Sequence, residues 1–370
     1  MSLFHLIARC ALVGASLLAS AQGSEAGQAP LQPRTGQQVY EQVCITCHGP
    51  DGRAGVNLEL EKIKKPPDFT DCSFANREPD RGFIAVAHNG GPARGFSALM
   101  APWGGTFSEE EIGLAVSHIR TFCKDVRWPR GELNLPLALV TGKAFPEDEA
   151  VMKVTTKSGS VVTKVVYERR FGPLNQWEIA LPITSVDPED SGAATGVGDI
   201  ALGYKRTLAH SLSRGNIFSV STEVILPTGS EVKDLGGGVA VFEPFVTFGQ
   251  LLPRNAFIQA QAGFGIPMTS GDGHDNEAFW RVALGQSFEQ GRFGRYWSPM
   301  LEILAARSLV DNATTEWDLL PGMQVTLNMR QHVRVAGGVR FPVNDADVRG
   351  KSVIFYLLWD WFEGGFFQGW

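Results

Sequence analysis

The stretch Ala256-Phe257-Ile258-Gln259-Ala260-Gln261-Ala262-Gly263-Phe264-Gly265-Ile266 sets how the larger part of this chain is read. Ala256, Ile258, Ala260, Ala262, Phe264 and Ile266 fall on every second position, and most of the residues between them are Gln or Gly. A period of two is the pattern of a strand with one apolar face. The same alternation appears in Trp177, Ile179, Leu181, Ile183, in Ile200, Leu202, Tyr204, and in Trp280, Val282, Leu284. It recurs at Trp317, Leu319, Pro321, Met323, Val325, Leu327 and at Val333, Val335, Val339.

About twelve such runs follow one another: 148–156, 160–171, 174–184, 197–209, 215–226, 238–252, 255–267, 277–289, 294–307, 314–328, 331–341 and 350–362. They exceed the usual five or six residues of a globular strand and suit tilted strands that cross a bilayer, which need about nine to eleven. From the second run onward the connections alternate. Short ones hold Pro173, Leu212-Ser213, Pro253-Arg254, Gly291-Arg292 and Met329-Arg330. Long ones hold Asp187-Pro188-Glu189-Asp190, Glu231-Val232-Lys233-Asp234, Gly271-Asp272-Gly273-His274-Asp275, Asp311-Asn312 and Asn344-Asp345-Ala346-Asp347. Outer-membrane barrels have short periplasmic turns and long external loops, whereas a soluble sandwich has no reason to alternate. The reading is an all-β up-and-down transmembrane barrel of about 12 strands over residues 148–370, both ends on the short-turn side. The aromatic end, Phe362 to Trp370, resembles the terminus with which bacterial barrels close.

Upstream the texture is helical. Trp128-Pro129-Arg130-Gly131 marks a linker, taken as 126–147, and residues 35–125 read as a small all-α domain. Thr35 caps a first helix, Pro79 opens a second that Gly90-Gly91 stops, and Ser108-x-x-Glu111 is a capping box for a third. The first helix runs into Cys44-Ile45-Thr46-Cys47-His48. Two cysteines three apart with histidine directly after them form the covalent haem attachment pattern. The thiols of Cys44 and Cys47 can add to the two vinyl groups, and His48 then sits under the iron as proximal ligand. Met100, in the loop Met100-Ala101-Pro102-Trp103-Gly104 before the capped last helix, is the expected distal ligand. Thioether sulfur opposite histidine stabilises ferrous iron. His88 is the rival distal ligand, and His118, off the apolar face of the last helix, is expected in solvent.

Residues 1–21 read as a secretory signal, with Arg9, an apolar core from Cys10 to Ala19 and the small-residue site Ala19-Ser20-Ala21; residues 22–34 read as a solvated linker. Export orders the five cysteines: Cys10 leaves with the signal and Cys44 and Cys47 go to haem. Cys72 and Cys123 remain for a disulfide in an oxidising compartment, the alternative being two buried thiols. The 370 residues allow two domains, the net charge of −6 gives no reason to expect nucleic acid, and 42 Gly with 23 Phe and 9 Trp suit a strand-rich chain.

On these motifs residues 35–124 resemble a class I monohaem cytochrome c domain: Cys44, Cys47 and His48 match its attachment site, Met100, Pro102, Trp103 and Gly104 its distal loop, and 107–112 the start of its terminal helix. The resemblance implies one covalent haem c and an electron carrier. The pair Cys72 and Cys123 and the loop Pro66-Pro67-Asp68-Phe69 depart from it. A second resemblance rests on Val197-Gly198-Asp199-Ile200-Ala201-Leu202-Gly203-Tyr204-Lys205 with Glu223-Val224-Ile225-Leu226-Pro227-Thr228-Gly229. These are similar to the outer-membrane family named after the meta-pathway of phenol degradation, whose members are transporters of rarely established substrate. No H-E-x-x-H, P-loop, G-x-S-x-G or paired-carboxylate arrangement supports an enzymatic barrel.

Three functions follow as expectations: a cytochrome anchored by a barrel in the outer membrane lipid, a pore with a redox-sensing or capping cytochrome, and a soluble periplasmic two-domain haem protein. The first resembles fused cytochrome–porins of metal-respiring bacteria, and its partners would be periplasmic electron carriers and an external donor or acceptor such as ferrous iron. Eight strands leave a lumen just filled by side chains. A barrel of about twelve is too narrow for a folded haem domain, which should therefore hang at the periplasmic mouth.

Overall fold

The computed structural model describes residues 34–54, 66–187, 192–269 and 274–361. The expected signal at 1–21, the leader up to residue 33, parts of two acidic loops (188–190 and 271–273) and the aromatic end at 362–370 lie outside the described residues.

Twelve long antiparallel strands form one closed sheet. They are β1 Glu149–Lys157, β2 Ser160–Phe171, β3 Asn175–Val186, β4 Ile200–Ser211, β5 Asn216–Leu226 and β6 Val241–Leu252. They continue with β7 Ala256–Pro267, β8 Glu277–Gln286, β9 Tyr296–Ser308, β10 Glu316–Thr326, β11 Val333–Pro342 and β12 Ser352–Asp360. Each strand pairs with its neighbours in the chain, and β12 returns to β1 with Asp360 opposite Glu149 and Ser352 opposite Lys157. Closure leaves no long unpaired edge. Two short pieces, Ala194–Val197 and Phe288–Glu289, add to β3 and β9. Strands of 9 to 13 residues are long enough to span a bilayer when tilted.

The alternation faces outward as a lipid-facing band. On β3, Trp177, Ile179, Leu181 and Ile183 are exposed while Gln176, Ala180 and Thr184 are buried. On β7, Phe264 and Ile266 are exposed and Phe257, Gln259 and Gln261 are buried. Apolar outside and polar inside inverts a water-soluble protein and is the order of a membrane barrel. The connections 172–174, 212–215 and 253–255 are short, as read from the sequence. The connection 287–295 is not: it matches 343–351 at the other end in length, because it carries Phe288–Glu289 and folds against the helical domain.

At the long-loop end, the paired motifs of the second resemblance meet. Asp199 accepts hydrogen bonds from the N–H of Gly229 (2.9 Å) and of Gly237 (2.7 Å), and Thr228 donates to Gly198 O (2.8 Å). Gly198-Asp199 and Pro227-Thr228-Gly229 are thus two halves of one loop clasp.

Residues 126–147 were expected to form a linker, yet from residue 131 onward this stretch runs through the barrel. Leu133, Leu135, Ala138, Leu139, Ala144 and Phe145 are all buried. Tyr356 OH donates to Leu137 O (2.6 Å), Gln259 to Pro136 O (2.8 Å) and Ser219 to Ala144 O (2.6 Å), each from the barrel wall. Leu139 fills the space left by the register partners Gly322 and Gly338, where an added Cβ would stand 2.6 and 2.5 Å from its Cδ1. Trp128-Pro129-Arg130-Gly131 punctuates the chain like a linker, but Leu133, Leu135 and Leu139 need an apolar surround, which only the assembled wall supplies.

The helical domain holds α1 Gly36–Val39, a π-turn Tyr40–Cys44 and α2 Ile45–His48 in one continuous run, then α3 Cys72–Ala75, α4 Asp80–Asn89 and α5 Glu109–Ile119. Thr35 with Gln38 and Ser108 with Glu111 form complete capping boxes, and Pro79 is the residue just before α4. Val39 of α1 packs with Ile112 and Ala115 of α5 and with Phe107; burying each large side chain contributes about 1.5–3 kcal/mol. His118, expected in solvent, is half-buried against the rings of Tyr40 and Phe122, at 5.3 and 5.2 Å.

Candidate functional site

Cys44, Cys47 and His48 lie on the turn formed by the π-turn and α2. Both thiols are free and half-buried. Burial first, and the neighbouring Cys47 second, push the Cys44 thiol up to about 11, so at neutral pH it is a thiol, not a thiolate. Tyr40 closes the turn by donating its hydroxyl hydrogen to Gly49 O at 2.6 Å. His48 stacks on Phe69 with ring centroids 4.8 Å apart. Burial lowers the imidazole to about 4, which keeps it neutral with a free lone pair, the form that ligates a metal. Its Nδ1 is buried with no hydrogen-bond partner among the described residues. Around it Phe69, Phe74, Phe83, Ile45 and Ile119 form one apolar cluster with Tyr40 and Cys44.

This donor set fits a covalently attached haem. Two thiols one helical turn apart, a neutral half-buried imidazole directly after them and an aromatic surround are what a flat apolar macrocycle with an iron centre requires. Bound there, it would supply reversible one-electron redox chemistry.

Met100 is half-buried in the loop after the 3₁₀ turn Gly91–Arg94, its carbonyl accepting the Gly91 N–H at 2.8 Å. His88, the rival ligand, lies at the end of α4 with its ring against Gly104 of the same loop. Its Nδ1 is 2.7 Å from Asn89 Oδ1, and its ring lies 5.2 Å from Phe293 of a barrel turn. Cys72 and Cys123 are joined as a disulfide with Cα atoms 5.1 Å apart. It ties α3 to the segment after α5.

The helical domain rests on the short-turn end of the barrel. Arg81 of α4 pairs with Glu289 at 2.7 Å and also with Glu109, and lies 4.0 Å over the Phe293 ring. Arg292 reaches Glu109 at 2.7 Å, and His332 Nε2 meets Glu78 Oε1 at 2.7 Å. Arg77 pairs with Asp148 at the start of β1. Nothing in the sequence named these partners, though the arginine-rich composition of the short connections was the available signal.

Residues 31–119 match the family model described as cytochrome C oxidase, cbb3-type, subunit III. No curated protein matches the chain. Similar solved structures include the NanC porin (6% identity, TM-score 0.40, covering 57% of this chain and 98% of the other). The KdgM porin is similar at 5% identity and TM-score 0.39, covering 58% of this chain and 99% of its own. An outer membrane channel from Pseudomonas putida F1 is similar at 11% identity and TM-score 0.41, covering 58% and 96%. Residues 31–119 are thus similar to a cytochrome c domain, and residues 149–360 fold as a closed twelve-strand barrel.

Proposed function

We propose that this protein is a one-electron carrier whose haem c, bound through Cys44 and Cys47 and ligated by His48 and Met100, is held at the periplasmic mouth of an outer-membrane barrel. The observation that carries the reading is the half-buried His48, stacked on Phe69, directly after two half-buried thiols on one turn of chain. The chain's own residues surround the His48 side with the apolar rings of Phe69, Phe74 and Phe83. An apolar surround of this kind suits electron exchange by a bound haem.

The plug favours this reading over an open pore. Residues 133–145 pack inside the barrel, Leu135 and Ala138 against Phe257 and Met300 and Leu133 and Phe145 against Ile217, and so fill part of the lumen. A gated pore remains the second reading, because β1, β2 and β8 turn Lys153, Lys164 and Arg281 toward the inside. The membrane core is about 30 Å thick, so a haem at one end needs periplasmic carriers as partners or an external donor that enters the vestibule.

Haem staining after denaturing electrophoresis tests the attachment: wild type should retain haem, and Cys44→Ala/Cys47→Ala should lose it. A redox titration of the purified protein with dissolved ferrous iron and small quinols tests the carrier role. A haem that no donor reduces would overturn it.

A further inference from the structure

We propose that Arg330, on a barrel turn, is a positioning residue for the haem domain's distal loop and thereby sets how firmly Met100 is held; this rests on the reading that Met100 ligates the iron. The two halves of the chain exchange arginines at this point. Arg94 of the helical domain, 5% exposed, donates to the backbone carbonyls of Met329 and of Phe293 (3.2 Å) on two barrel turns. Arg330 donates in return to the carbonyls of Arg94 (2.8 Å) and Gly95, and its guanidinium lies 4.5 Å over the Phe96 ring.

From there the path to Met100 is short. Phe96 N–H bonds to Gly91 O at 2.9 Å, and Gly91 N–H bonds to Met100 O at 2.8 Å. Gly91 permits this close fold, since a Cβ there would stand 2.2 Å from Ser97 O and 3.0 Å from Met100 Cβ. The barrel side of the clamp is itself braced. Asn328 Oδ1 accepts from His332 N–H (3.0 Å) and Val333 N–H (3.1 Å), and Gln331 donates to Gly294 O (2.9 Å) on the neighbouring turn.

The other docking contacts differ in kind. Arg81 with Glu289 and Arg292 with Glu109 join side chains, and on the haem-domain side these sit on α4 and α5, which carry their own backbone hydrogen bonds. Arg330 instead holds main-chain carbonyls of a loop with little regular structure. Ordering a loop beforehand in its ligating conformation lowers the cost of ligation. A thioether held on the iron favours the ferrous state and raises the potential.

The experiment uses full-length haem-loaded protein purified in detergent, comparing wild type with Arg330→Ala, Arg330→Lys, Arg292→Ala and Met100→Ala. The readouts are the long-wavelength absorption band of a ferric thioether complex and the midpoint potential. Arg330→Ala should weaken the band and lower the reduced-to-oxidised ratio at fixed ambient potential about tenfold, about 59 mV for one electron. Arg330→Lys, with a single donor centre, should fall between, and Arg292→Ala should match wild type. An unchanged band and potential in both Arg330 variants, with the band gone in Met100→Ala, would overturn the positioning role alone. An equal shift in Arg292→Ala would overturn it too, assigning the effect to general docking. A band that survives Met100→Ala would overturn the ligand reading beneath it.

Discussion

Glu302 holds Thr141 by two bonds to one oxygen: its Oε2 accepts both the backbone N–H and the hydroxyl hydrogen of Thr141, each at 2.7 Å. The same carboxylate accepts the N–H of Leu139 at 2.7 Å and of Val140 at 3.1 Å, and it is fully buried in the barrel wall. Hydrogen bonds to a charged group contribute about 1.5–3 kcal/mol each, so Glu302 is the main polar fastening of the plug. Glu302→Ala should loosen residues 139–141 and raise the conductance of the protein in planar bilayers at least tenfold over wild type. Equal conductance would show that the apolar contacts of Leu139 close the lumen unaided.

Asp199 fastens the outer end in a similar way through Gly229 and Gly237. Replacing it by alanine should open the loop at 227–238 to added protease while the barrel keeps its heat-modifiable gel mobility. Cleavage at the wild-type rate would argue against the clasp.

The Cys72–Cys123 bridge closes a loop with a sequence separation of 51. A disulfide of this kind stabilises by about 2–4 kcal/mol, and a domain of this size shifts by roughly 4–8 °C per kcal/mol. Cys72→Ala/Cys123→Ala should therefore lower the melting of the haem domain by about 10 °C or more, read from haem absorbance, with the barrel transition unmoved.

Glu109 links pH to docking. The hydrogen bond from Arg292, and then the charge of Arg81, lower its carboxyl below the ordinary value of 4.5. A lowered folded value means that this contact is fully present above about pH 4.5 and is lost as pH falls through the folded value. Protease release of the haem domain should rise below pH 4 and with added salt, and Glu109→Gln should remove the pH dependence. A release rate that ignores pH would place the docking energy in Phe293 and the arginine exchange.

Much of this molecule was legible in its residues. Strict alternation such as Ala256 to Ile266 has one stable reading where twelve runs recur, because a period of two puts every apolar side chain on one face. The spacing of Cys44, Cys47 and His48 is equally local, since one turn of helix fixes their geometry. Capping at Thr35 and Ser108 needs only neighbours three residues away. What the tertiary structure decided is everything that depends on distant surfaces meeting. Residues 131–147 read as a linker because nothing near them in sequence could bury Leu133, Leu135 or Leu139; Glu302, Gly322 and Gly338 lie far along the chain. The neighbour of the His88 ring, Phe293, comes from a barrel turn that no local pattern near residue 88 announces. The arginine exchange between Arg94 and Arg330 joins residues with no periodic or spacing relation, and only the folded barrel brings their carbonyl partners within reach.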